Sequence, residues 1–224
     1  MIKFNLQFFG GRGAGSDGGS LPMSFPQGGG GGGNTTGLDQ QPGLMPSAEA
    51  ALGEQGRPMN VTSAVSGANP NYSMGPEYQE NCQRCVIATE ARLRGYDVQA
   101  LPTYDDDMMP TGTNYLNNFV GAKTKSIKHS TASANQRDVE RQMADMGDGS
   151  RALMSFGWKG GGSGHVINVV RRRGKTRYYD GQNGTEVSAS HLFNAISNSK
   201  AINLTRVDNL AFSDSVNQSV RPHL

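Results

Sequence analysis

Only two cysteines and one tryptophan occur among the 224 residues, and the charged side chains nearly balance, with a formal net charge of +2. Two cysteines cannot form the multiple cross-links of a disulfide scaffold. No uninterrupted apolar run approaches the ~18 residues that a membrane span needs. Residues 1–9 also lack the longer apolar stretch and the cleavage site of a secretory signal. These absences predict a soluble protein with free thiols, without a membrane partner, in a reducing compartment.

Glycine is abundant but unevenly distributed. Most of the 31 glycines precede Gly75. Residues 10–67 have few aromatic side chains and little apolar periodicity, so they cannot bury enough surface to offset the conformational entropy lost on folding. We therefore predict a disordered glycine-rich tail over residues 1–74, one domain over 75–207 and a polar C-terminal tail over 208–224.

The pattern of helices and strands within the domain predicts the α+β class. Asn81 is a suitable N-cap for a helix that continues to Arg94 and stops at Gly95. A second amphipathic helix is predicted over 137–146. Short apolar runs separated by glycine-containing turns predict an antiparallel meander at residues 152–158, 166–170 and 176–179, then a helix at 190–197 and a strand at 201–207. Helices that precede strands in this way are typical of α+β proteins.

Both cysteines lie at the start of the first predicted helix. Cys82 follows the cap residue Asn81, and Cys85 lies within the first turn. Unpaired N–H groups and the helix dipole favour negative charge at this end of a helix, so the position stabilises a reactive thiolate. This stretch therefore suits a cysteine nucleophile.

A histidine and an acid follow on two adjacent predicted strands. His165 begins one strand after a glycine loop, and Asp180 ends the next strand. Antiparallel strands joined through residues 171–175 bring the start of the first beside the end of the second. The acid can then hold one imidazole nitrogen and aim the other at a thiol. Gln182, two residues beyond the acid, is either a second orienting group or an ordinary turn residue.

Stabilisation of an oxyanion is predicted to combine backbone N–H groups at the helix start with an amide side chain from Gln79 or Asn81. The interval from Gln79 to Cys85 equals the one between amide and cysteine in papain-type sites, which favours Cys85 as nucleophile. The adjacent Asn81 and Cys82 place the other thiol at the tip of the helix, which favours Cys82. Spacing alone leaves both cysteines as candidates.

Four separated blocks resemble the papain-fold toxin family, often described as glutamine deamidase-like domains of polymorphic toxins. The blocks are Asn81-Cys82-x-x-Cys85-x-x-Ala88, Arg92-x-x-Gly95-Tyr96-x-Val98-x-Ala100, Gly164-His165-x-x-Asn168-Val169 and Asp180-Gly181-Gln182-x-Gly184. The resemblance covers about residues 77–207. It implies a papain-like cysteine-hydrolase fold, with Cys82 as nucleophile, His165 as base and Asp180 as orienting acid. Gly181 departs from the proline that is commoner in that family at this place.

The resemblance implies hydrolysis of an amide in a protein substrate, without a cofactor. Deamidation of glutamine and cleavage of a peptide or isopeptide bond share one acyl-enzyme path, so both outcomes stay open. A toxin of this kind implies an immunity protein as a partner. Residues 3–13 are similar to the starts of phage and prophage proteins, which implies virion proteins as further partners and a location on a virion or in the bacterial cytoplasm.

Other site chemistries have less support in the sequence. A zinc site needs four ligands, and apart from the two thiols only His165 lies in a suitable loop. The acidic residues 105–107 lack the spacing of a calcium-binding loop. The only dense basic cluster, residues 171–175, is predicted at a hairpin tip, so nucleic acid is not the expected partner. The alternative to an enzyme is an inert virion-associated binding protein on a papain-like scaffold.

Overall fold

The central element of the fold is a six-stranded antiparallel sheet. The structure is a computed structural model that describes residues 47–104, 114–161 and 163–223. The strands lie in the order β2-β7-β3-β4-β5-β6. Their bounds are Thr124–Ile127 for β2, Arg151–Gly157 for β3, Gly164–Arg172 for β4, Lys175–Asp180 for β5, Thr185–Val187 for β6 and Ile202–Arg206 for β7. Strand β1, Val98–Ala100, pairs with β8, Val220–Pro222, in a separate antiparallel ribbon. The meander predicted from the sequence is confirmed for β3, β4 and β5.

Five α-helices pack around this sheet in the described part of the chain. They are α1 (Ala48–Leu52), α2 (Val61–Ser66), α3 (Cys82–Leu93), α4 (Ala132–Met146) and α5 (Ala189–Ala195). Single 3₁₀ turns are formed by Pro76–Tyr78, Asn114–Asn118 and Asp214–Gln218. Among the described helices, none combines the length and the apolar composition that crossing a bilayer requires.

The sheet is buried on both faces because neighbouring residues of a strand point to opposite sides. Leu153 on β3 belongs to the apolar cluster that contains α3, together with Ile87. The next residue, Met154, belongs to a second cluster that contains α4 and α5, including Met143 and Phe193. Helices therefore cover both faces of an antiparallel sheet, and the predicted α+β class is confirmed.

The β4–β5 hairpin has the tight turn that aligns the site strands. Arg172 pairs with Lys175, and the two residues between them, Arg173 and Gly174, have φ of 53° and 71°. Left-handed conformation at both positions is what a two-residue hairpin turn requires. Asp148 holds the turn by accepting from both backbone N–H groups, at 2.7 and 2.8 Å. The basic cluster lies at a hairpin tip, as predicted.

The predicted N-terminal boundary of the domain is wrong. Residues 48–66, assigned to a disordered tail over 1–74, contain α1 and α2. Each helix has a side-chain cap, from Ser47 and Asn60, and each buries two residues. Helices of five and six residues are too short to show apolar periodicity in the sequence. Residues 1–46 lie outside the described part of the chain.

The predicted polar C-terminal tail over 208–224 is also wrong for the described residues up to 223. Val216 and Val220 are buried in the same apolar cluster as α3. Strand β8 pairs with β1, and the preceding 3₁₀ turn packs against α1. Two buried valines in a mostly polar stretch are a weak signal in the sequence, but they are enough to attach the segment to the core.

Candidate active site

Cys82 is the first residue of α3 and is partly exposed. The carbonyl oxygen of Asn81 accepts from the N–H groups of Arg84 and Cys85, at 2.9 and 3.0 Å. Within the described residues, the backbone N–H groups of Cys82 and Gln83 have no recorded acceptor, as expected for the first turn of a helix. The Cys82 thiol therefore lies beside backbone donors that are free to bind an anion.

His165 and Asp180 meet at the end of the β4–β5 pair. The imidazole Nε2 lies 3.0 Å from Oδ2 of Asp180, and the two side chains are only 10% and 9% exposed. Because Asp180 holds Nε2, the ring nitrogen left for another partner is Nδ1. Cys82 lies close enough to the imidazole to contribute to raising the pKa of His165. The structure therefore brings together the three predicted residues Cys82, His165 and Asp180.

The charges of this pair stabilise each other despite burial. Burial alone lowers the pKa of His165, but the Asp180 carboxylate and the hydrogen bonds with Asp180 and Cys82 raise this pKa well above 6.5. Burial alone raises the pKa of Asp180, but His165 and the backbone N–H groups of Gln182 and Asn183 lower it below 3.8. The arrangement thus favours an imidazolium held by a carboxylate.

The turn after β5 fixes the acid. The backbone N–H of Gln182 donates to Oδ1 of Asp180 at 2.9 Å, and Nδ2 of Asn183 donates to Oδ2 at 3.1 Å. Gln182 therefore orients Asp180 through its backbone. Its side-chain amide instead donates to the carbonyl oxygen of Gln79 at 2.6 Å. This bond ties the acid turn to the segment that precedes Cys82.

Gly181 packs against α3 without room for a side chain. An ideal Cβ at this position would lie 2.4 Å from Oγ1 of Thr89 and 3.1 Å from the carbonyl oxygen of Cys85. The close approach brings the end of β5 against the cysteine-bearing helix. It gives a physical reason for glycine where the resemblance led us to expect proline.

Cys85 is in a different environment from Cys82. It is 1% exposed, and its Sγ–H donates to Oδ1 of Asn81 at 3.1 Å. Burial, followed by the nearby Cys82 and Asp180, raises the pKa of Cys85 well above 9.0. A buried thiol that resists ionisation is poorly suited to be a nucleophile. The burial of Cys85 is therefore evidence against the thiol that the interval from Gln79 favoured.

The two predicted amide donors are both occupied. Asn81 is 1% exposed, and its Nδ2 donates to the carbonyl oxygen of Leu101 at 3.0 Å and to Oδ1 of Asn69 at 3.3 Å. Its side chain is thus used for positioning and does not accept from the helix N–H groups as a cap. Nε2 of Gln79 donates to the carbonyl oxygen of Tyr72 at 3.2 Å. Neither side-chain amide is therefore free, whereas the N–H groups of Cys82 and Gln83 have no acceptor among the described residues.

Comparison with protein families assigns this part of the chain. Residues 80–185 match the family model described as papain fold toxin 1, glutamine deamidase. This segment is similar to the papain-fold toxin family. The match spans all three clustered residues, and it confirms the predicted resemblance and the papain-like fold. No curated protein and no solved structure gave a match.

The candidate site contains aromatic residues that the sequence reasoning missed. The Trp158 ring stacks on the His165 imidazole, with centroids 5.7 Å apart and an interplanar angle of 23°. Phe156 meets the same imidazole edge to face at 6.0 Å. Tyr115 is buried, and its pKa is raised by burial and further by the neighbouring Cys82. Trp158 is the single tryptophan of the chain and directly precedes the glycine loop before His165. This position was the only sign in the sequence that Trp158 lies near the site.

We expect the His165–Asp180 pair to make stability depend on pH. Because folding raises the pKa of His165, its contribution is fully present below about pH 6.5 and is lost as the pH rises through the higher folded value. Because folding lowers the pKa of Asp180, its contribution is present above about pH 3.8 and is lost as the pH falls through the lower folded value. The free energy of unfolding, relative to His165→Gln, should therefore be largest between these limits and decline above pH 6.5.

Urea titrations of the wild type and His165→Gln at several pH values measure this difference. The same comparison in an Asp180→Asn background is the control, because the carboxylate that raises the His165 pKa is then gone. A difference that stays constant from pH 6 to well above neutrality would contradict the coupling.

Within the described ranges, no group of three or more histidine, cysteine or acidic side chains is arranged to hold a metal ion. The acidic residues 105–107 lie outside the described part of the chain.

Proposed function

We propose that this papain-fold toxin domain is a cysteine-dependent amide hydrolase that converts glutamine side chains of a protein substrate to glutamate. Cys82 is the nucleophile, His165 the general base and acid, and Asp180 the orienting group. The observation that supports the proposal is the position of His165, bonded through Nε2 to Asp180 at 3.0 Å and lying near the cysteine at the start of α3. The family description of a glutamine deamidase toxin supports the reaction type.

In the first half of the reaction, His165 Nδ1 takes the proton of the Cys82 thiol. The Sγ then attacks the carbonyl carbon of the substrate amide and forms a tetrahedral intermediate. His165 gives the proton to the amide nitrogen, the carbon–nitrogen bond breaks and ammonia leaves. The substrate is left joined to Cys82 as a thioester.

In the second half, a water molecule donates a proton to His165 Nδ1 and adds to the thioester carbon. The carbon–sulfur bond breaks, and the proton returns from His165 to the Cys82 sulfur. The product is a glutamate side chain, and the enzyme is regenerated. In both halves Asp180 keeps the imidazole orientation and stabilises its positive charge without moving a proton itself.

The negative oxygen of each intermediate lies at the start of α3 in this proposal. The N–H groups of Cys82 and Gln83 are the donors, because no acceptor is recorded for them among the described residues. Donors that are already fixed lower the barrier, since they need no reorganisation when the charge forms. The dipole of a helix of 12 residues adds to the effect.

Peptide or isopeptide cleavage would follow the same thioester path with a different leaving amine. The family description favours deamidation over these. Binding to an immunity protein and attachment to a phage virion, with action in a bacterial cytoplasm, are further proposals from the toxin class and from residues 3–13, which lie outside the described residues.

Separate alkylation rates of the two cysteines test the proposal. We expect iodoacetamide to modify Cys82 rapidly and Cys85 slowly, because Cys85 is buried. His165→Ala should slow modification of Cys82 by about 100-fold or more at neutral pH, as expected for loss of a positioned base. Peptide mass spectrometry between about pH 5 and pH 9 resolves both thiols.

Two slow cysteines whose rates do not depend on His165 would exclude this function. The result would support the inert binding scaffold instead. If Cys82 is reactive, conversion of glutamine to glutamate in candidate substrate proteins, with release of ammonia, is the next measurement. Release of a new peptide end would assign the domain to the peptidases.

A further inference from the structure

Asn69 is a buried amide that lies upstream of the family-matched segment. It follows α2, within the stretch that the sequence predicted as a tail, and it is 6% exposed. Buried amides are retained in folded proteins when their hydrogen bonds are satisfied. The partners of Asn69 therefore indicate its role.

The side chain of Asn69 joins two distant parts of the chain. Its Nδ2 donates to the carbonyl oxygen of Tyr78 at 2.7 Å and to the carbonyl oxygen of Gln182 at 2.9 Å. It also pairs with the amide of Asn81, with both nitrogen–oxygen distances at 3.3 Å. An amide nitrogen has two hydrogens, so the two shorter bonds use its donor capacity.

These partners are the groups that hold the site. Asn81 immediately precedes Cys82 and accepts from the N–H groups of the first turn of α3. Gln182 supplies the backbone N–H that binds Asp180. One side chain therefore connects the start of the cysteine helix with the turn that fixes the acid. A displacement at either end would change the distance between Cys82 and His165.

The segment around Asn69 is itself fixed on both sides. Val65 packs with Val170 and Tyr179 of the β4–β5 pair. The carbonyl oxygen of Ala68 accepts from the N–H of Ala100 on β1 at 2.8 Å. Because this segment is held rigidly, the hydrogen bonds of Asn69 can fix the positions of the groups that they bind.

We propose that Asn69 is a positioning residue for the Cys82–His165–Asp180 site, and that residues 61–69 are part of the functional unit although they precede the family match. This inference rests on the proposed function. Asn69 does not touch the reacting atoms and acts through Asn81 and Gln182. A small shift of reacting groups lowers a rate by about 100-fold, so its loss should be visible in the reactivity of Cys82.

Three variants of the full chain test the inference. Asn69→Ala removes the side-chain amide. Asn69→Thr keeps a similar volume and is also uncharged, but its hydroxyl has one hydrogen and cannot donate to two carbonyl groups. Asn71→Ala is the matched control, because its side chain makes no recorded hydrogen bond among the described residues. The midpoints of urea unfolding identify conditions in which each variant is folded. If Asn69→Ala does not fold, Asn69→Thr replaces it in the test.

Two readouts separate positioning from general destabilisation. The first is the alkylation rate of Cys82 in folded protein, in the presence and absence of the His165→Ala change. We expect both Asn69 variants to lose most of the acceleration that depends on His165, a fall of about 10- to 100-fold, while Asn71→Ala retains it. The second is the NMR titration of His165, whose pKa should fall toward 6.5 when Asp180 and Cys82 are misplaced.

The outcomes distinguish this inference from the proposed function. Rapid, His165-dependent alkylation in the wild type and equally in the Asn69 variants would overturn the inference and leave the function intact. Slow, His165-independent alkylation of the wild type would overturn the function. In that case the His165 titration decides the inference alone: an unchanged titration in the Asn69 variants overturns it, and a lowered pKa supports it.

Discussion

Replacing Cys82 by alanine should abolish amide hydrolysis, whereas replacing Cys85 by alanine should leave the chemistry in place. The first change removes the sulfur that forms the thioester, so we expect turnover to fall on the order of 10⁴-fold or more. The second removes a thiol that is 1% exposed and bonded to Asn81. Ammonia release from a deamidated protein substrate, measured for both variants, checks the prediction.

Cys85→Ala should lower stability rather than activity. It leaves a small cavity and removes one hydrogen bond to Asn81, and each such loss costs about 1 kcal/mol. Nδ2 of Asn69 lies 3.3 Å from Oδ1 of Asn81, but its two hydrogens are used in shorter bonds to the carbonyl oxygens of Tyr78 and Gln182, so it does not replace the lost bond. The opposite pattern, with turnover lost in Cys85→Ala and kept in Cys82→Ala, would assign the nucleophile to Cys85.

The meeting of His165 and Asp180 could be predicted because hairpin geometry is local. A two-residue turn at 173–174 sets the register in which Asn168 pairs with Tyr179. That register places the start of β4 beside the end of β5, as the spacing of turn residues in the sequence indicated. Antiparallel neighbours leave few other arrangements, so this half of the site followed from pattern alone.

The choice between the two cysteines could not be predicted in the same way. Cys82 and Cys85 are one turn apart, and the sequence does not show which thiol the rest of the chain covers. Cys85 is buried by contacts between α3 and the core, including the close approach of Gly181. The papain-like interval from Gln79 also does not show that the side chain of Gln79 binds the carbonyl oxygen of Tyr72.

Long-range hydrogen bonds explain why the N-terminal boundary and Asn69 were missed. Asn69 and Gln182 are 113 positions apart, and no local pattern links them. The stacking of Trp158 on His165 depends on how β3 and β4 end, which composition does not reveal. Functional roles that arise from such contacts require the folded structure.

Replacing Glu90 by glutamine should strongly destabilise the domain. Its carboxylate is completely buried within α3 and binds Arg94 at 2.8 Å and Arg151 on β3 at 2.8 Å. Arg94 in turn donates to the carbonyl oxygens of Val207 and Leu210. Removing the carboxylate leaves two partly buried guanidinium groups without this counter-charge. Breaking a fully buried pair costs about 3–5 kcal/mol, so the loss here should approach the lower end of that range. Urea unfolding of the wild type and Glu90→Gln measures the loss.

Glu186→Gln is the matched control, because it breaks an arginine pair on the surface. Glu186 and Arg177 are 48% and 50% exposed, so solvent screens their attraction and the pair adds little to stability. Since Glu90 lies on the helix that begins with Cys82, its loss should also loosen the link between α3 and the sheet. Similar unfolding free energies for Glu90→Gln and Glu186→Gln would show that the buried network does not anchor the cysteine helix.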